Sequence, residues 1–276
     1  MSKPSLAFIG AGDLAARAMG NRTLEEQFEF IGVARSARST AGVTWLQGNA
    51  ADTALLAQLA EHAPAGIVAT LVPNGQGEAG YRQGYLAPLK ALLQSLKASG
   101  QTPFIVFASS TAVYPQAGGE WVHEQDAAPS GYAGAVMLEA EALLASSGLK
   151  TCALRFGGIY GPERDYLIRQ VQAGNGGDES FTNRIHQDDA ANAIAFACLR
   201  LINNHETPRV LNVCDSGPAP SQDVRAFIAA QLNILLENLK PSPSGRGGNK
   251  RVSNQALLDL GFQLQYPSYK EGYAKA

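Results

Sequence analysis

The chain has 276 residues and a formal net charge of -2, so no basic excess exists to hold nucleic-acid phosphates or an anionic membrane face. Hydrophobic residues make up 45% of it and charged residues 17%, which excludes a disordered chain and supplies apolar surface for one sizeable core. No stretch approaches the roughly 20 apolar residues of a membrane span, and Met1–Pro4 leads directly into an apolar strand without a signal-like pattern, so a cytoplasmic protein is expected.

In chain order, strand-length apolar runs alternate with segments of helical period. Strands are predicted at Leu6–Ile9, Phe30–Ala34, Val43–Leu46, Gly66–Leu71, Phe104–Ala108, Thr151–Arg155 and Val210–Val213. Helices are predicted at Leu14–Met19, Thr53–Ala60, Tyr81–Ser99, Val136–Ser147, Asp188–Ile202 and Ser221–Leu232. Asp52 and Ser221 stand where N-terminal caps belong, and Gly100 and Gly148 where left-handed C-terminal residues belong. Pro241–Gly248 reads as a flexible connector, with a substrate lid as the alternative; after it, Ser253–Asn254 starts a short helix that Gly261 ends. This alternation predicts an α/β protein with a Rossmann-type, doubly wound parallel sheet and a small C-terminal substrate-binding portion. One domain over residues 1–276 is expected, with substrate-binding insertions around 160–187 and 215–276.

The first strand ends in Gly10-Ala11-Gly12-Asp13-Leu14-Ala15 and opens into a helix. Gly10 permits the tight turn, Gly12 lets backbone approach a pyrophosphate, and Ala15 allows close packing of helix on strand. The helix start then offers N–H donors to phosphates, which makes Gly10 to Leu14 the candidate dinucleotide cradle. Asp13 is the awkward member, tolerable if it points outward. After the second strand, where an acidic residue would bind the 2′-hydroxyl of NAD, the chain reads Arg35-Ser36-Ala37-Arg38. Two guanidiniums and a hydroxyl suit a 2′-phosphate, which favours NADP over NAD; the plainer alternative is a solvated basic loop. Asn49 and Ala50, past the third strand, are candidates for the adenine edge.

Several stretches together resemble the extended and atypical short-chain dehydrogenase/reductase superfamily, the NAD-dependent epimerase/dehydratases, and a bacterial atypical subgroup within it. Phe107-Ala-Ser-Ser-Thr-Ala-Val-Tyr-Pro115 is similar to its SSxxVYG motif, with Pro115 in place of Gly. Leu154-Arg-Phe-Gly-Gly-Ile-Tyr-Gly-Pro162 is similar to LRxxxxYGP, Asn183–Ala190 to HxDDxA, and Lys250–Asn254 with Tyr266–Gly272 to the subgroup's tail. The resemblance implies hydride exchange with bound NAD(P), and adds Leu71, Ser109, Phe156 and Gly157 to the cofactor contacts. It also implies a catalytic serine at Ser110, with Thr111 as the neighbouring alternative, and a Tyr-Lys pair four residues apart on one helix.

That pair is missing. Tyr132 is the only tyrosine at the expected helix start, and four residues on stands Val136; aligned by Leu138, Glu141 and Leu144, the helix puts Ala133 and Met137 at the two positions. No Lys or Arg lies between Lys97 and Lys150. An unassisted phenol keeps a pKa of about 10 and is about one part in a thousand ionised at neutral pH, so Tyr132 stands as either a weakened acid/base or a packing residue.

On the substrate side, Tyr114, Tyr160, Arg164, Arg184 and His186 follow strand ends or lie in the insertions, where ligands of open α/β sheets sit. His186 has a structural alternative, bonding near Asp188 or Asp189, and that acidic pair reads as a helix N-terminal cap. Cys152, Cys198 and Cys214 are read as buried thiols, and the four histidines share no ligand spacing, so no metal is expected. The expected function is an NAD(P)-dependent epimerase/dehydratase-like or reductase-like protein acting on a small carbonyl or nucleotide-sugar substrate. The alternative is a non-catalytic NAD(P)-binding sensor. Oligomeric state and substrate are not legible.

Overall fold

The apolar runs of the sequence become the strands of one sheet, buried along most of their length except at the edge strand Val43–Gln47, which is part-exposed. In the computed structural model, which describes residues 2–243 and 247–274, these are β1 (Ser5–Ile9), β2 (Glu29–Ala34), β3 (Val43–Gln47), β4 (Gly66–Ala69) and β5 (Phe104–Ser110). Strands Thr151–Phe156 and Val210–Val213 complete a parallel sheet of seven. Its order is Val210–Val213, Thr151–Phe156, β5, β4, β1, β2, β3, so the chain direction across the sheet reverses between β1 and β4, the switch point where doubly wound sheets hold ligands. Leu6, Phe8, Ile9, Ile67, Ile105 and Phe107 have no exposed surface, as strands covered on both faces require, and each contributes about 1.5–3 kcal/mol by burial.

The chain divides into two units. The first comprises residues 2–109, 129–154 and 191–210. Its helices are α1 (Asp13–Met19), α2 (Arg22–Gln27), α3 (Thr53–Glu61), α4 (Gly77–Tyr81), α5 (Ala87–Ser99) and α6 (Gly131–Ala145). Asp52 caps α3 as expected, accepting the N–H groups of Ala54 and Leu55, and Gly100 closes α5 in the left-handed conformation at φ 68°. The helix predicted from Tyr81 begins earlier, at Gly77, and contains a π turn at Arg82–Leu86. The fourth strand stops at Ala69, two residues before the predicted end, because Thr70 turns toward the glycine turn and donates its hydroxyl to Gly10 O at 3.1 Å. Helix α2 was not legible from apolar period; Asn21 starts it by accepting from Thr23 and Leu24.

The second unit comprises residues 110–128, 155–190, 211–243 and 247–274. It is built from two-stranded pairings, Gly158–Tyr160 with Arg184–His186 and Trp121–Val122 with Arg251–Val252 among them. Its core gathers Tyr160, Val171, Val224, Ile228, Tyr269 and Tyr273. Ser221 proves to be the first residue of the helix Ser221–Gln231, with Pro220 in the cap position. Of the expected connector Pro241–Gly248, residues 244–246 lie outside the described residues. Among the described residues no helix is long and apolar enough to cross a membrane, and no group of three or more His, Cys, Asp and Glu is placed to hold a metal. The three cysteines are buried and unpaired.

Candidate functional site

In the first unit the β1–α1 turn is made by backbone. Gly10 adopts φ 72°, and a Cβ there would meet Thr70 O at 2.9 Å, so both conformation and space require glycine. Gly12 differs: a Cβ on it would find nothing nearer than Gly10 O at 3.8 Å. The protein itself leaves that approach open. Gly12 is also the N-cap residue of α1 and no side chain caps the helix, which fits a pyrophosphate drawn to N–H donors at a helix start. Ala11 is buried and donates its N–H to Val33 O at 3.0 Å, tying the turn to β2. Leu14 and Ala15 are buried beneath α1, and Asp13 is exposed on its first turn.

Arg35, Ser36 and Arg38 are exposed past the end of β2. Arg35 Nη1 donates to Asn74 Oδ1 at 3.4 Å, Gln47 Nε2 donates to Arg35 O at 3.4 Å, and the Arg38 guanidinium lies 5.7 Å from the Trp45 ring centre. Asn49 uses its Oδ1 to accept from Ala51 N, a local turn, while Ala50 and Leu71 are buried.

Ser109, near the end of β5, donates to Glu141 Oε1 of α6 at 2.5 Å, and both residues are buried. Ala133 and Met137 lie two turns and one turn before Glu141 on the same stripe, and Met137 is 2% exposed. In neither register does α6 carry a Tyr-Lys pair: Tyr132 is followed four residues on by Val136, and Ala133 by Met137. Tyr132 lies on another face, 44% exposed, its ring set edge-on to Tyr81 at 5.4 Å. Tyr81 in turn contacts Tyr85, whose hydroxyl burial pushes up to about 12.

In the second unit most of the polar candidates are buried. Ser110 is part-buried; its Oγ accepts from Ala112 N at 3.1 Å, and Thr111 follows it in a short turn. Tyr114 is 3% exposed, with its hydroxyl donating to Asn212 Oδ1 at 2.6 Å and accepting from Arg155 Nη1 at 2.9 Å. Burial outweighs that guanidinium and pushes the phenol up to about 12. Tyr160 stacks on Tyr273 at 4.5 Å. Arg184 donates to Thr182 O at 3.2 Å, to the Thr182 hydroxyl and to Gly217 O at 3.4 Å. His186 accepts from Asp188 N at 3.3 Å and stacks on Tyr266 at 3.7 Å. Phe156 and Gly157 are buried, and a Cβ on Gly157 would meet Cys214 Sγ at 2.9 Å. Arg164 is part-buried beside its bridge to Gly161.

Asp188 and Asp189 both stand in the first turn of the helix Gln187–Ile202, as expected of partners of its dipole, but Asp189 has a further role that the expected cap did not foresee. Asp189 is fully buried and accepts from Gln265 N and Tyr266 N, both at 2.9 Å, so it anchors the C-terminal segment. Sequence reasoning also missed several buried charged residues, Asp215 and Lys250 among them. Asp215 is 1% exposed and its Oδ2 has no partner; burial pushes its carboxyl up to about 7 against the opposing pull of Arg184. Lys250 donates to Tyr114 O at 3.0 Å and Gly247 O at 2.5 Å, and burial lowers its pKa. Asp215 carries no periodicity or motif signal, and the tail motif that contains Lys250 says nothing of its burial, since burial of a charge is decided by distant segments.

A glycine turn at the switch point of a parallel sheet, open at Gly12, defines a dinucleotide-binding protein of the Rossmann class. The chain matches the NAD(P)H-binding family over residues 10–200 and belongs to it. Among solved structures, a Methylobacillus flagellatus protein described as an NAD-dependent epimerase/dehydratase is 33% identical, with a TM-score of 0.80 and coverage of 99% of this chain and 97% of that one. Protein YeeZ of Escherichia coli strain K12 is 30% identical over 195 residues, 66% of this chain, and the match spans 65% of that relative's length. A Streptomyces 3-diazoavenalumate denitrifying reductase is 28% identical over 216 residues, 67% of this chain and 68% of the relative. The protein thus belongs to the extended and atypical short-chain dehydrogenase/reductase superfamily, as its motifs implied.

Proposed function

We propose that this protein is an NADPH-dependent reductase of a small carbonyl-type substrate that works without a tyrosine-lysine pair. The observation that carries the reading is the pairing of an open Gly12 cradle with an α6 stripe of Ala133, Met137 and Glu141. Bound cofactor supplies hydride. Gly10 to Leu14 hold its pyrophosphate, and the exposed guanidiniums of Arg35 and Arg38 take the 2′-phosphate. Within the first unit, Leu71 and Ser109 extend the cofactor set through packing and backbone. With its Oγ already accepting from Ala112 N, Ser110 has its own proton left to donate to a substrate oxygen, with Thr111 as neighbour. Water or the substrate itself then handles the proton that a tyrosine would otherwise supply. The likeness to a Streptomyces reductase favours reduction over epimerisation.

The vacated Tyr-Lys positions also favour a second reading, a non-catalytic sensor of cofactor state. One screen separates the two: NADPH consumption followed by its absorbance against carbonyl compounds, nucleotide sugars and aryl diazo acids. Turnover that Ser110→Ala lowers about tenfold or more supports the enzyme. Tight NADPH binding with no consumption across the panel supports the sensor. Cofactor choice is tested by calorimetry, where Arg35→Ala and Arg38→Ala are expected to weaken NADPH about tenfold and spare NADH.

A further inference from the structure

The loop 72–76 after β4 rests directly on the backbone of the helix that follows it. A Cβ on Gly80 would stand 2.3 Å from Gly75 O, and one on Gly84 would stand 2.2 Å from Val72 O and 2.7 Å from Asn74 N. The obstructing atoms are backbone, so alanine at either position displaces the loop. Asn74 N donates to Gly80 O at 2.9 Å and fixes the contact.

The helix is itself held on its other side. Tyr81 meets Tyr132, and Arg82 bonds Glu78 at 2.8 Å and Glu139 of α6 at 2.7 Å. Between the two glycines begins the π turn, closed by Ala87 N donating to Arg82 O. Such a turn inserts one residue and resets the phase of the helix, and it recurs at functional sites. Here it lets one helix present glycines to the loop and aromatic rings to α6. The loop's position is therefore set by a pinned surface, and the side chain it carries to the arginine cluster is that of Asn74.

We propose that Asn74 is a positioning residue for Arg35: the glycine-docked loop holds the Asn74 amide where it orients the Arg35 guanidinium toward the cofactor's 2′-phosphate, so the loop helps set the choice of NADPH over NADH. This rests on the reading of Arg35 as the 2′-phosphate ligand. The chemistry favours an amide. A free arginine loses rotamer freedom when it binds, and a neutral acceptor takes up one N–H and reduces that loss without cancelling the charge. A carboxylate at the same place would pair with the guanidinium and repel the phosphate.

The test is calorimetric titration of NADPH, NADH and adenosine 2′,5′-bisphosphate into the full-length wild type and the Arg35→Ala, Asn74→Ala, Asn74→Asp and Gly84→Ala variants, with thermal melts as a folding control. Wild type is expected to prefer NADPH. Asn74→Asp should weaken NADPH and the bisphosphate more than about tenfold, Asn74→Ala and Gly84→Ala several-fold, with NADH changed less than about twofold. Asn74 is exposed, so its variants decide the matter even if Gly84→Ala folds poorly. If wild type prefers NADPH through Arg35 and the Asn74 variants leave the NADPH-to-NADH ratio unchanged, this inference alone is overturned. If wild type shows no preference, or Arg35→Ala does not alter it, the reading of Arg35 falls and takes this inference with it.

Discussion

The two units use the same residue types in opposite ways. In the first, Arg35 and Arg38 are exposed beside a turn made of glycine backbone, and substitution there touches little of the fold. In the second, Arg155 and Arg184 are 4% and 5% exposed, and their guanidinium groups donate to carbonyls and hydroxyls of the unit itself. Tyr114, Tyr160 and His186 belong to the same buried set. Arginine, tyrosine and histidine at strand ends look alike in a sequence, but the fold leaves the first group in solvent and encloses the second among partners of its own unit. The contrast therefore divides the candidates into residues whose loss should alter binding and residues whose loss should alter stability.

The largest expected effect tests the second group. Arg184→Ala removes donors from Thr182 and Gly217 and the cation that opposes burial of Asp215, and should cost about 3 kcal/mol or more in urea unfolding. Arg35→Ala in the same assay should stay within about 0.5 kcal/mol. Equal costs would erase the distinction between the units. Next comes Gly12→Val, whose Cβ meets nothing closer than 3.8 Å in the protein. Its melting temperature should hold while NAD(P) affinity falls about a hundredfold, because the side chain fills the space a pyrophosphate needs. Undiminished affinity by calorimetry would remove the cradle from the turn.

The pH dependence sharpens the account of the buried set. Burial raises the Asp215 carboxyl from its ordinary value to about 7, so the folded state keeps a proton that the unfolded state releases at lower pH. Stability should therefore decline as pH rises from about 4 to 7 and level off above, with a slope from this group of at most about 1.4 kcal/mol per pH unit. Asp215→Asn should flatten that part of the profile in unfolding curves taken across the range. The smallest effect concerns α6. With a substrate in hand, Tyr132→Phe should lower kcat less than about threefold, while Ser110→Ala lowers it about tenfold or more, because the Tyr132 ring is set edge-on to Tyr81 and the Ser110 hydroxyl keeps a proton to donate. Complete loss in Tyr132→Phe with cofactor affinity intact would restore ordinary tyrosine chemistry.

What the sequence determined by itself was whatever depends on local pattern. Strand order class follows from alternating apolar runs, the Gly10–Gly12 turn from its position after the first strand, and the Asp52 and Gly100 ends from capping chemistry. Even the lack of a Tyr-Lys pair was visible, since neither register of the helix, through Tyr132 or through Leu138, Glu141 and Leu144, supplies one. Only the tertiary structure decided what distant segments bring to one another. Asp189 had to meet the backbone of Gln265 and Tyr266 to become an anchor, and Asp215 had to be enclosed to lose its water. Asn74 reaches Arg35 across 39 residues because two glycines let a loop lie on a helix backbone. Pattern reports which face of an element is apolar, but the fate of a single polar side chain depends on desolvation and partners, and those are set by chain segments that carry no record of one another in the local sequence.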